Sequence, residues 1–126
     1  MGWAGMSKIL IVDDEKEVGK ILGMYFNAAG YEAAVAYNGE EALEKVRTEK
    51  PDLIILDIML PKMDGYEICK ALKSAEEYKH IPVIIFSARG LELDAIMGEE
   101  VGAAIFITKP SEPSILLAEV EKLLKK

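Results

Sequence analysis

Hydrophobic positions recur along the chain in five short runs: KILIV (8–12), YEAAVAY (31–37), LIIL (53–56), VIIF (83–86) and AIFI (104–107). Three of them are apolar throughout, which predicts strands covered on both faces. Between the runs the spacing changes to the i, i+3, i+4, i+7 rhythm of amphipathic helices. In the first such segment Val18, Ile21, Leu22, Tyr25, Phe26 and Ala29 form the predicted inner face. Asn38 predicts a cap for the second, with Glu41 placed to reach back, and Ala42, Leu43 and Val46 as its inner face. The third begins at about Asp64 and turns Ile68 and Leu72 inward. A fourth, roughly Leu91 to Glu100, is interrupted by Gly98 and is expected to be mobile. The last is predicted to run from a Ser111 cap through Leu116, Val120 and Leu123.

Strand and helix therefore alternate along the chain, which implies a doubly wound α/β fold. Parallel strands need crossover connections, and the helices supply them on both faces of the sheet. Ligands of such sheets bind outside the carboxyl ends of the strands. The first strand runs into Asp13-Asp14 and the third into Asp57; the fourth runs into Ser87-Ala88 and the fifth into Thr108-Lys109-Pro110. Three carboxylates, a hydroxyl and an ammonium are thus predicted to gather at one sheet edge.

Composition narrows what that edge serves. The 126 residues suit one domain, and 51% hydrophobic with 29% charged residues is ordinary for a globular protein. A net charge of -7 argues against direct binding of nucleic acid or an anionic membrane. No apolar run approaches the ~20 residues of a membrane span. The lone Cys69 excludes an internal disulfide and a multi-cysteine metal site, so a reducing cytoplasm is expected. The opening MGWAGMSK lacks the regions of a signal peptide and reads as a tail over 1–7, such as a cloning remnant before a start at Met6.

Three carboxylates a few ångströms apart repel one another unless a cation intervenes. A hard divalent ion such as Mg2+ relieves the repulsion through one or two carboxylates, waters and phosphate oxygens. Lys109 adds a fixed positive charge for an anion and Ser87 a short donor. That set suits an aspartate nucleophile attacking a phosphoryl group. Taken singly, each residue has a plainer role. Asp13 and Asp14 are a helix cap, Asp57 a turn former, Ser87 a cap, Lys109 a solvated side chain and Phe106 core filling. His80 reads as an exposed loop residue, and Cys69 as a small core residue. Their joint placement at one sheet edge is what points to phosphoryl chemistry.

With these residues in view, the chain resembles the receiver domain of bacterial two-component response regulators. The resemblance rests on ILIVDDE, PDLIILDIMLPKMDGYEICKALK, IPVIIFSAR and GAAIFITKP, in order and suitably spaced, over residues 8–126. It implies a flavodoxin-like five-stranded parallel sheet in the order 2-1-3-4-5 with five helices. It also implies Asp57 as phosphoacceptor, with Mg2+ (or Mn2+) held by Asp13, Asp14, Asp57 and the Met59 carbonyl. Ser87 and Lys109 then bind the phosphoryl group, Phe106 is an aromatic switch, and Pro110 follows a cis peptide bond. The implied partners are a histidine kinase or histidine phosphotransfer protein upstream, and a downstream protein or appended output domain. The implied enzymology is Mg2+-dependent self-phosphorylation and slow autodephosphorylation.

Rival functions fit less well. A dehalogenase-type phosphatase also places an aspartate nucleophile after a strand, but needs a second acid two residues on, where this chain has Met59. A flavodoxin-like electron carrier needs a hydroxyl-rich phosphate loop after the first strand, and Asp13-Asp14-Glu15 would repel that phosphate. An interaction domain without chemistry has no use for an Asp57 and Lys109 pairing.

Overall fold

The computed structural model describes residues 6–88 and 100–124. Its strands β1 (Lys8–Val12), β2 (Glu32–Ala36), β3 (Leu53–Leu56), β4 (Val83–Ser87) and β5 (Ile105–Thr108) form one parallel sheet. The strand order is β2-β1-β3-β4-β5, as the resemblance implied. Helices α1 (Lys16–Ala28), α2 (Gly39–Glu49) and α3 (Gly65–Lys73) make crossovers, and a C-terminal helix (Pro113–Leu124) follows β5. The expected helix from Leu91 to Glu100 lies, except for its last residue, outside the described residues.

The pleat divides the core into two layers. Ile9 and Ile11 of β1 pack with Leu22 and Phe26 of α1 and with Leu116 and Val120 of the C-terminal helix. Leu10 and Val12 point the other way, to Ala42 and Val46 of α2 and Ile68 and Leu72 of α3. β3 and β4 alternate in the same manner, so neither has a wet face and neither can carry a polar residue until its carboxyl end. Each of the Val, Leu, Ile and Phe side chains among these stabilises the fold by about 1.5–3 kcal/mol of transfer free energy.

The cap expected at Asn38 and the helix start expected at about Asp64 are found, and the cap expected at Ser111 is not. The Asn38 side chain accepts from the Glu41 amide at 2.8 Å, and Glu41 in turn accepts from the Tyr37 amide at 2.5 Å. Asp64 caps α3 by accepting from the Glu67 amide at 3.0 Å. Ser111 does not cap the C-terminal helix. Its hydroxyl donates back to the Thr108 carbonyl at 3.0 Å, and the helix starts at Pro113, whose missing N–H costs nothing in a first turn.

The inner face of α1 also differs from the expectation. Ile21 is 58% exposed and Ala29 is exposed, whereas Gly19 and Gly23 are buried with Leu22 and Phe26. The helix lies close on β2: a Cβ at Gly19 would sit 2.7 Å from Val35 Cγ1. Close approach through glycine rotates the helix and turns Ile21 outward. Hydrophobic spacing cannot foresee this, because glycine carries no apolar signal.

Candidate functional site

The site is pinned through the backbone before any side chain is considered. Just past the strand ends, the Asp13 amide donates to Ala36 of β2 at 3.0 Å and the Asp57 amide to Val12 of β1 at 2.9 Å. The Lys109 amide donates to Ser87 of β4 at 2.7 Å. The ladder thus continues one residue beyond each strand and fixes three charged residues side by side. Gly65, at the start of α3, fastens the loop after β3 from beneath. Its amide donates to the Ile58 carbonyl at 3.0 Å, and a Cβ there would lie 2.5 Å from the Asp57 carbonyl oxygen.

The side chains then converge. Lys109 Nζ lies 2.5 Å from Asp13 Oδ2, 3.2 Å from Asp57 Oδ2 and 3.7 Å from Glu15 Oε1. Asp13 and Asp57 are buried and Ser87 is fully so, while Asp14 is exposed. Two amides complete the frame: Glu15 N–H donates to Asp13 Oδ1 at 2.9 Å, and Met59 N–H to Asp57 Oδ1 at 3.0 Å. The second fixes the Asp57 rotamer. Phe106 is half-buried against the α2–α3 layer, and the Lys109–Pro110 bond is cis.

Electrostatics follow from this packing. Burial pushes the Asp13 carboxyl above its ordinary range, and the hydrogen bond from Lys109 offsets only part of that. Burial alone would lower the Lys109 ammonium, but the hydrogen bond and charge of Asp13, then Asp57, outweigh it and hold Lys109 above the usual lysine value. One carboxylate oxygen each from Asp13, Asp14 and Asp57 lies within 4.8 Å of the others. Such hard oxygen donors fit a Mg2+-type ion, which takes one or two carboxylates and keeps several waters.

Sequence reasoning overlooked three contributors. Gly65 is visible only through its close approach to the backbone. Glu15 belongs to the DDE triplet but matters here as a third acid facing Lys109. Phe86, 5% exposed, places its ring centroid 5.4 Å from Lys109 Nζ.

An acidic trio and a bridging lysine at the carboxyl ends of a 2-1-3-4-5 sheet define a class, and comparison with known proteins agrees. The chain belongs to the response regulator receiver domain family, whose model matches residues 9–121. It is 43% identical over 119 residues to the alkaline phosphatase synthesis transcriptional regulatory protein PhoP of Bacillus subtilis, covering 94% of this chain and 49% of that protein. The chain spans about half the length of the curated relatives it matches. A putative response regulator from Chloroflexus aurantiacus superposes with a TM-score of 0.90 at 36% identity, covering 96% of this chain and 99% of that one. The Vibrio cholerae chemotaxis protein CheY4 superposes equally, at 0.90, with 32% identity over 95% of this chain and 100% of that one. Among the described residues no helix is long and apolar enough to cross a membrane.

Proposed function

We propose that this receiver domain is a phosphorylation-dependent switch that takes a phosphoryl group on Asp57. The observation that carries the reading is Lys109 bridging the two buried members, Asp13 and Asp57, of an acidic trio, an arrangement with no structural use that an apolar residue would not serve better. A carboxylate oxygen of Asp57 forms the new O–P bond while the donor's P–N bond breaks and the donor histidine leaves as the free imidazole. Asp13, Asp14, Asp57 and the Met59 carbonyl are the groups to hold Mg2+, which when bound neutralises charge on the phosphoryl oxygens. The Met59 amide keeps Asp57 in one rotamer, and Lys109 supplies the protein's own positive charge to the incoming group.

Phosphorylation adds about -1.5 to -2 charge and three acceptor oxygens. Lys109 exchanges part of its pairing for those oxygens, Ser87 turns toward them, and Phe106 follows into the space that Ser87 leaves. The donor is a histidine kinase or a histidine phosphotransfer protein. An apolar groove of ≈ 290 Å³, lined by Val18, Ile21, Leu22, Phe86, Lys109 and Pro110 among others, adjoins the site and suits such a partner. The receiver of the signal is a downstream protein or an appended output domain, consistent with relatives twice as long. A reducing cytoplasm fits the single buried thiol. The dehalogenase-type phosphatase gains no support: its second acid is replaced by Met59, and the similar proteins are regulators.

Incubation with a small acyl phosphate and Mg2+, followed by intact mass, tests the reading. One phosphoryl group is expected, absent in Asp57→Asn and in chelator. Labelling that survives either condition would falsify the assignment.

A further inference from the structure

Lys109 has a neighbour that the phosphoryl chemistry does not call for. Its ammonium meets carboxylates on one side, and the Phe86 ring lies 5.4 Å from it on another. A cation within about 6 Å of an aromatic centroid is drawn to the negative ring face, most strongly where water is scarce. Water is scarce here: the Lys109 side chain is 12% exposed and Phe86 5%. Phe86 belongs to the buried layer with Leu22, Ile84, Ile107 and Leu116, which packs around its ring.

We infer that Phe86 is a positioning residue for Lys109, its ring face holding the flexible lysine head over the Asp57 carboxylate. This rests on Asp57 being the phosphoacceptor. The carboxylates that now hold Lys109 are the groups whose charge and bonding change on phosphorylation, whereas the ring carries no charge that phosphorylation alters. A leucine at 86 fills a similar apolar volume but leaves the desolvated ammonium against alkyl groups on that side. The backbone reinforces the coupling, since Phe86 immediately precedes Ser87, whose carbonyl accepts from the Lys109 amide at 2.7 Å.

The test separates ring electrostatics from packing. Phe86→Leu is compared with a multiply fluorinated phenylalanine at 86, which keeps the ring's shape while depleting its negative face. Phosphorylation by saturating acyl phosphate and Mg2+ should slow by roughly two- to tenfold in Phe86→Leu, with the fluorinated protein slowed as well. In a Lys109→Met background neither change should slow it further. The Lys109 Cε protons, followed by NMR without phosphodonor, should show an upfield ring-current shift that Phe86→Leu abolishes. A fluorinated protein as fast as wild type, or equal losses with and without Lys109, would overturn the inference and leave Phe86 as packing. If the wild type takes up no phosphoryl group, the function proposed above fails instead; the NMR shift then decides the Phe86 contact, and its absence overturns it.

Discussion

Two lysines sit between paired carboxylates at opposite ends of the same sheet, and they are not equivalent. At the amino end, Lys8 Nζ lies 3.0 Å from Glu49 and 3.4 Å from Glu32, with those acids 38% and 57% exposed. At the carboxyl end, Lys109 lies between Asp13 and Asp57, which are 3% and 6% exposed. Around Lys8 water offers every group an alternative partner, so the pairs can part at little cost. Around Lys109 there is little water, so each charge depends on the others. Distances alone would have ranked the two alike. Burial turns one of them into a charge balance that a ligand can upset.

The largest test of that contrast removes the buried lysine. In chelator, Lys109→Met should lose about 3 kcal/mol of stability in urea unfolding, because Asp13 and Asp57 are left without their cation. Mg2+ should restore much of the loss. A loss below about 1 kcal/mol would place Lys109 on the footing of Lys8.

The same balance can be read through pH, again in chelator. The folded-state pKa of Lys109 lies above its usual 10.5, so its stabilisation is complete below 10.5 and disappears as pH rises through the folded value. The stability gap between wild type and Lys109→Met should therefore close in strongly alkaline solution. Asp13 behaves oppositely. Its folded pKa is raised above 3.8, so between the two values the folded state keeps a proton that the unfolded chain has released. Its contribution thus becomes more favourable as pH falls through that window, and Asp13→Asn should remove that slope from the urea midpoints. An unchanged slope would mean Asp13 is not desolvated as the structure shows.

A smaller effect is expected at Asp14, the exposed member of the trio. Without metal, Asp14→Ala should leave stability unchanged or raise it by about 1 kcal/mol, since one repelling charge is gone. Mg2+ should raise the wild-type Tm and do much less for the variant. Equal Mg2+ shifts in the two proteins would exclude Asp14 from the metal site. The smallest effect belongs to Lys8→Met, expected to alter stability by no more than about 0.5 kcal/mol. A cost comparable to that of Lys109→Met would erase the distinction between the two ends.

The strands and the sheet edge where chemistry collects were legible because their signals are local and strong. Unbroken apolar runs such as Leu53–Leu56 leave no wet face, and a charged residue directly after such a run must stand at a strand end. Asp13, Asp57, Ser87 and Lys109 could therefore be placed together from order along the chain alone, and the resemblance supplied the strand order. Other features depended on neighbours distant in sequence. Gly19 and Gly23 face the sheet because, lacking a Cβ, they let α1 come close to Val35, and that turned Ile21 out of the core. Ser111 bonds back to Thr108 instead of capping, since the chain turns before the helix begins at Pro113. Residue types and their order thus determined which charges meet; packing alone decided how dry they are, that Gly65 presses on Asp57, and that Phe86 lies against Lys109. Those last three are distances of closest approach and degrees of burial, which arise only when separate segments are brought to one place.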